Sequence, residues 1–95
     1  MYVYLLESIE NGWRYIGQTQ NLQDRIKRHN SGSEKSTKSH VPFKIIGYIQ
    51  VKDRKKALQI ERKLKGMKLR EKQYRYFLEN GIMKTENPGV PGSEK

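Results

Sequence analysis

The side chains that invite a chemical reading are polar ones standing where helix and strand periodicity would put apolar ones. After Asp53 a helical pattern runs to about Lys65, and at 100° per residue it gathers Ala57, Leu58, Ile60 and Leu64 on one arc with Glu61 among them. A carboxylate on a packed face either reaches the edge and pairs with a neighbour such as Arg54 or Lys65, or binds something. Beside a sheet in a basic protein, that something is a hard cation such as Mg²⁺, held through oxygen. The segment from Leu22 to Asn30 shows the same conflict. Arg25 and His29 lie four apart and share an arc with Leu22 and Ile26, while Gln23, Asp24, Lys27 and Arg28 point away. Arg25 either packs its stem and sends its head to water or offers its planar donor fork to a phosphate oxygen. His29 would then carry a proton or bind phosphate.

Two tyrosines extend the set. In the β-prone run Tyr2 to Leu6, residues Tyr2, Tyr4 and Leu6 share one face, and in the run Trp13 to Gly17 so do Trp13, Tyr15 and Gly17. Strand tyrosines usually pack, but a buried phenol still wants a partner for its hydroxyl. If Tyr4, Tyr15, Arg25, His29 and Glu61 converge, one basin holds two phenols, a guanidinium, an imidazole and a carboxylate. That set suits cleavage of a phosphodiester.

The elements that must position these groups follow from local signals. Asn11-Gly12 between the two strands marks a hairpin. Asn21 can cap the first helix, with Asp24 in its first turn and Gly32 after its end. Ser31 to Val41 is polar, rich in Ser and Lys, and reads as a mobile surface loop before Pro42. Phe43 to Val51 makes a third strand, Asp53 caps a second helix, and Gly66 is its natural stop. Lys68 to Glu79 forms a third helix whose Leu69, Tyr76, Phe77 and Leu78 feed the core. The order predicts an α+β fold, a three-stranded antiparallel sheet flanked by helices, over residues 1–83. Residues 84–95 hold two prolines and little that is apolar, and read as a disordered tail.

Composition bounds the rest. A chain of 95 residues that is 34% hydrophobic makes one modest core. No apolar run approaches the ~20 residues of a membrane span and no signal peptide is evident, so a cytoplasmic protein without a membrane partner is expected. With no cysteine, thiolate zinc sites are excluded, two histidines far apart in sequence make a poor metal cage, and any metal must be bound mainly through oxygen. The net charge is +10, and it is concentrated: Arg25 to Arg75 holds 17 Lys or Arg and 4 Asp or Glu, leaving 3 and 6 elsewhere. Such a segment favours nucleic acid, ahead of an anionic membrane or an acidic protein. Lys35 and Lys38 on the loop, with Lys55, Lys56, Arg62 and Lys63 on the second helix, are the candidate contacts to phosphate.

These residues resemble the GIY-YIG nuclease family, in its small stand-alone bacterial form, over about residues 2–79. Tyr2-Val3-Tyr4 is similar to the first motif with its glycine replaced, and Tyr15-Ile16-Gly17 is the second motif intact, continued by Gln18 to Leu22. Arg25 and His29 match the family's Arg and His on the first helix, and Glu61 resembles its metal-binding glutamate. The family's late asparagine has no counterpart at the matching place, since Asn80 comes later. The resemblance implies one-metal hydrolysis of DNA, with Mg²⁺ or Mn²⁺ on Glu61, water as nucleophile, Tyr4 by preference or else Tyr15 as proton acceptor, and Arg25 on the phosphate. No group stands out to read bases, which points to structure-selective or weakly specific cutting of branched, nicked or single-stranded DNA, with repair and recombination as fitting roles. A catalytically weak nucleic-acid-binding module and a basic adaptor for an acidic protein are the rival readings. Nothing predicts dimerisation, so a monomer is the default.

Overall fold

The computed structural model describes residues 1–83; the expected tail, 84–95, lies outside the described residues. Strand β1 (Tyr2–Ser8) and strand β2 (Arg14–Thr19) form the expected hairpin, with Gly12 at φ +76° in its turn and the Asn11 side chain accepting from the Trp13 N–H at 3.0 Å. Helix α1 (Leu22–Asn30) follows, capped by Asn21, whose side chain accepts from the Asp24 N–H at 3.0 Å. Strand β3 (Phe43–Gln50), helix α2 (Arg54–Gly66) and helix α3 (Arg70–Asn80) complete the anticipated order. Asp53 caps α2 as expected, accepting from the Lys56 N–H at 2.9 Å. A short strand β4 (Ile82–Met83) was not expected. It adds to the free edge of β3, giving an antiparallel sheet in the order β2-β1-β3-β4. Gly81 permits it, because a Cβ there would run into the Tyr48 carbonyl.

Central strand β1 is buried on both faces, and its alternation divides the interior in two. Val3 and Leu5 join Ile16, Ile46 and Ile49 beneath Ala57, Ile60 and Leu64 of α2 and Phe77 of α3. Tyr4, Leu6 and Phe43 face the other way, packed with Tyr15, Ile45 and Tyr48 under Leu22 and Ile26 of α1. A bulge sets this partition: the β1–β3 register slips between Leu5, opposite Gly47, and Leu6, opposite Ile45. The extra residue re-phases β3, so that Phe43, Ile45 and Tyr48 all reach the α1 side while Ile46 and Ile49 reach the other.

Several expectations are corrected. Leu58 is 39% exposed, Leu69 55% and Leu78 58%, so none is a core residue. Helix α2 meets the sheet along the narrow stripe Ala57, Ile60 and Leu64, and Leu58 falls beside it; α3 is anchored through Phe77, and Leu78 lies on the next, outward position. Gly66 is the last residue of α2 rather than a left-handed cap. The helix end is closed instead by the Gln73 amide of α3, which donates to the Leu64 and Met67 carbonyls at 3.0 and 3.1 Å. The Ser31–Val41 segment is not a loose loop: it winds a 3₁₀ turn at Lys38–His40, buries Thr37 completely and stacks His40 on Trp13 with ring centroids 4.1 Å apart. Among the described residues no helix is long and apolar enough to cross a membrane.

One glycine is demanded by packing. Gly17 pairs with Tyr4 across the hairpin, and a Cβ at Gly17 would lie 2.6 Å from the Tyr4 hydroxyl and 2.9 Å from the Tyr15 ring. The missing side chain lets the buried phenol lie along β2. Gly17→Ala should therefore cost about 1–3 kcal/mol in urea unfolding through overpacking. By the same measurement Leu64→Ala should cost about 2–5 kcal/mol, whereas Leu58→Ala and Leu78→Ala should stay within about 1 kcal/mol because those side chains are half exposed.

Candidate active site

The α1 side of the sheet brings three of the five chemical side chains into contact. Tyr4, 1% exposed on β1, places its hydroxyl 3.1 Å from Nε2 of His29, itself 1% exposed in the last turn of α1. The Tyr15 ring packs against both, with centroids 5.0 Å from the His29 ring and 6.2 Å from that of Tyr4. On its far side the imidazole is held by Thr37, whose Oγ1 lies 2.9 Å from Nδ1. Burial, and next the neighbouring Tyr15, push the Tyr4 phenol well above the ordinary range, so it stays protonated. Burial likewise pulls His29 below its ordinary value, against the opposing pull of Glu34, so the imidazole stays neutral and can accept a proton.

Arg25 lies at the rim of this cluster, half-buried. Its Nη1 is 3.6 Å from Glu34 Oε2 of the loop after α1, which also lies 3.9 Å from Arg28 Nε. A cleft of about 270 Å³ opens beside it, lined by Arg25, Arg28, Arg54, Gln18, Asn21 and Asp24 among others. Its cationic wall of three arginines suits an anion of phosphate size.

Glu61 comes from the opposite side of the sheet and reaches the β2 edge through Gln18, whose amide donates to Glu61 Oε1 at 2.9 Å. Gln18 in turn lines the arginine cleft, and both Arg25 and Glu61 are near enough to act on the Tyr4 phenol by their charge. The other carboxylate oxygen, Oε2, is paired with Lys65 Nζ at 2.7 Å, as one sequence alternative anticipated; Arg54 is not its partner. Because a carboxylate only accepts, the Gln18 N–H must face Glu61, and Gln18 Oε1 is then left buried without a partner. A hard divalent cation fits these donors. Mg²⁺ keeps much of its water and takes one or two carboxylates together with substrate phosphate, and no group of three His, Cys, Asp or Glu side chains is gathered for a metal among the described residues.

The cationic candidates do not form one patch. Lys35 and Lys38 are exposed on the loop beside the His29 cluster. Lys55 and Lys56 line a separate cavity of about 600 Å³ between the start of α2 and α3, and Lys63 lies 5.2 Å over the Tyr76 ring of α3; Arg62 is exposed on α2. Asn80 lines that same distant cavity and donates to the Tyr76 carbonyl at 3.0 Å, which takes it out of the tyrosine cluster. Reading the sequence missed Gln18, Glu34 and Thr37. Gln18 carried a faint signal, a polar residue alternating with Ile16 on the core face of β2; the other two sit in a polar segment where nothing distinguishes them.

No curated protein and no solved structure matches the chain. A family model described as the GIY-YIG catalytic domain matches residues 1–75, spanning β1 through most of α3 and so every residue of the cluster. With Tyr4 and Tyr15 packed together over Gly17 and His29 bonded to the Tyr4 hydroxyl, and with the family model matching most of its length, the chain belongs to the GIY-YIG family of nucleases.

Proposed function

We propose that this protein is a divalent-metal-dependent endonuclease that hydrolyses DNA phosphodiester bonds, and that Tyr4, Tyr15, Arg25, His29 and Glu61 are its catalytic residues. The observation that carries the reading is the Tyr4–His29 hydrogen bond, a protonated phenol on a neutral imidazole, with Arg25 and Glu61 near enough to act on that phenol by their charge. Mg²⁺ or Mn²⁺, held by Glu61, would supply positive charge against the negative charge developing on the leaving 3′ oxygen. Gln18 orients the Glu61 carboxylate through its amide N–H, and its own carbonyl oxygen is left without a partner. Lys65, half exposed, is the partner that Glu61 would give up to hold the cation.

Arg25 donates to a non-bridging phosphate oxygen, taking the phosphate in exchange for Glu34. The attacking water hydrogen-bonds to the Tyr4 oxygen, which accepts the water proton as the phenol passes its own to His29 Nε2. The new bond joins water oxygen to phosphorus, the bond to the 3′ oxygen breaks, and that oxygen takes a proton from solvent, leaving a 5′ phosphate and a 3′ hydroxyl. Tyr4 never has to exist as a free phenolate, which burial disfavours. Tyr15, packed on both rings, holds their relative angle. Binding draws on Lys35 and Lys38 beside the cluster and on Lys55, Lys56, Arg62 and Lys63 along α2. The preference for branched, nicked or single-stranded DNA rests on the lack of a group placed to read bases, and a repair or recombination role on its fit to this chemistry.

A binding module with weak catalysis is favoured by one observation: Glu61 and Arg25 are each already engaged by an opposite charge, Lys65 and Glu34. Cleavage assays separate the two. With labelled linear, nicked, flapped and four-way DNA, the wild type should cut in Mg²⁺ or Mn²⁺ and not in EDTA. Glu61→Ala should abolish cutting while DNA binding persists, and Arg25→Ala should lower the rate on the order of 10²–10³-fold. Equal loss of binding and cutting in Glu61→Ala would count against its metal role, and salt-sensitive binding with no cutting would establish the module. With about 5 phosphates engaged, log K against log salt should slope near −4.5; a flat response would remove the electrostatic account.

A further inference from the structure

Thr37 lies in a segment of Ser, Lys and Glu, yet it is 0% exposed. The turn around it is built to hold it: its N–H donates to the Glu34 carbonyl at 3.1 Å, its carbonyl accepts from the His40 N–H at 3.0 Å, and its hydroxyl reaches the Glu34 carbonyl at 3.4 Å as well as His29 Nδ1 at 2.9 Å. A neutral imidazole has one N–H and one bare nitrogen, and which is which depends on what each nitrogen faces. The Glu34 carbonyl can only accept, so the hydroxyl bond to it is made only when the single hydroxyl hydrogen of Thr37 points to Glu34. Oγ1 is then an acceptor toward His29, and the imidazole proton sits on Nδ1. Nε2 is left bare, 3.1 Å from the Tyr4 hydroxyl. In the opposite tautomer an Nε2–H would face the phenol oxygen, and the Tyr4 proton would have no acceptor.

We propose that Thr37 is a positioning residue that fixes His29 in its Nδ1–H tautomer, so that Nε2 is the acceptor of the Tyr4 proton. The catalytic half of this statement rests on the proton route proposed above; the tautomer half stands on the hydrogen bonds alone. Thr37 shares its segment with Glu34, which faces Arg25, and with the exposed Lys35 and Lys38. The segment that meets the phosphate therefore also sets the proton acceptor.

The test is a ¹H–¹⁵N long-range correlation spectrum of the histidine rings in the full chain. The sequence holds two histidines, and a His40→Gln variant assigns the signals of the other. The wild type should carry its His29 proton on Nδ1, Thr37→Ser should match it, and Thr37→Val should move the proton to Nε2. In nicked or branched DNA cleavage with Mg²⁺, Thr37→Val should lower kcat on the order of 10²-fold with KM little changed, the scale of a lost proton-transfer partner, and Thr37→Ser should retain most of the rate. A His29 proton on Nε2 in the wild type overturns the proposal, and so does a Thr37→Val protein with wild-type tautomer and kcat. If Thr37→Val does not fold, the wild-type and Thr37→Ser spectra still decide it. A tautomer that shifts as described in a protein that cuts no DNA supports the control of His29 by Thr37 and overturns the nuclease reading instead.

Discussion

A phenol on the central strand of a sheet, covered on both faces, has to find a hydrogen-bond partner inside the protein, because leaving the hydroxyl unpaired in the interior costs about 1–3 kcal/mol. Tyr4 meets that demand through His29, and much of the surrounding architecture can be read as the means of making the contact possible. Gly17 clears the path along β2, the bulge in β3 turns Phe43, Ile45 and Tyr48 to the same side to pack the ring, and α1 is placed so that its last turn delivers the imidazole. Thr37 closes the far end. A buried network of this kind is stable only when each member is satisfied, which ties an otherwise polar loop to the core.

Outside that network the site is held by ion pairs whose partners reach toward solvent. Glu61 is shared between Gln18 and Lys65, and Arg25 between the cleft and Glu34. Lys65 reaches solvent, so giving up its pair with Glu61 leaves its ammonium hydrated rather than stranded. On the proposed function, the buried, uncharged Tyr4–His29 pair would govern the proton and the charged rim would receive the ligand. Raising the Tyr4 phenol and lowering the His29 imidazole both follow from the same burial, and both keep the pair neutral until reaction.

Much of this was legible in the sequence where a side chain contradicted its own periodicity. Glu61 amid the apolar arc of α2, and Arg25 with His29 on the inner arc of α1, were visible for that reason, and the caps Asn21 and Asp53 fixed the helix starts. Tyr15-Ile16-Gly17 was legible as a motif, although the reason for its glycine, the Tyr4 ring lying against it, requires the strand register. What stayed hidden depends on three-dimensional packing. The bulge that re-phases β3 does not show in Ile45-Ile46-Gly47-Tyr48-Ile49, whose apolar side chains suit either face, Leu58 and Leu78 look like core residues until the helices choose a narrower stripe, and Thr37 becomes distinctive only when the chain folds back on His29.

The central claim is that the proton leaves through a neutral imidazole rather than a free phenolate, and the single-turnover pH–rate profile of Mg²⁺-dependent DNA cleavage addresses it directly. Since burial lowers His29 from its ordinary 6.5, against Glu34 and aided by Arg25 and Arg28, the acceptor is neutral above that value and is lost only as pH falls through the lowered one. The account predicts a rate that is level from about pH 7 to 9 and that declines about tenfold per unit only once pH falls through that lowered value. A rate that instead keeps climbing about tenfold per unit toward pH 10 and beyond, as a base that must first ionise a phenol requires, would contradict it.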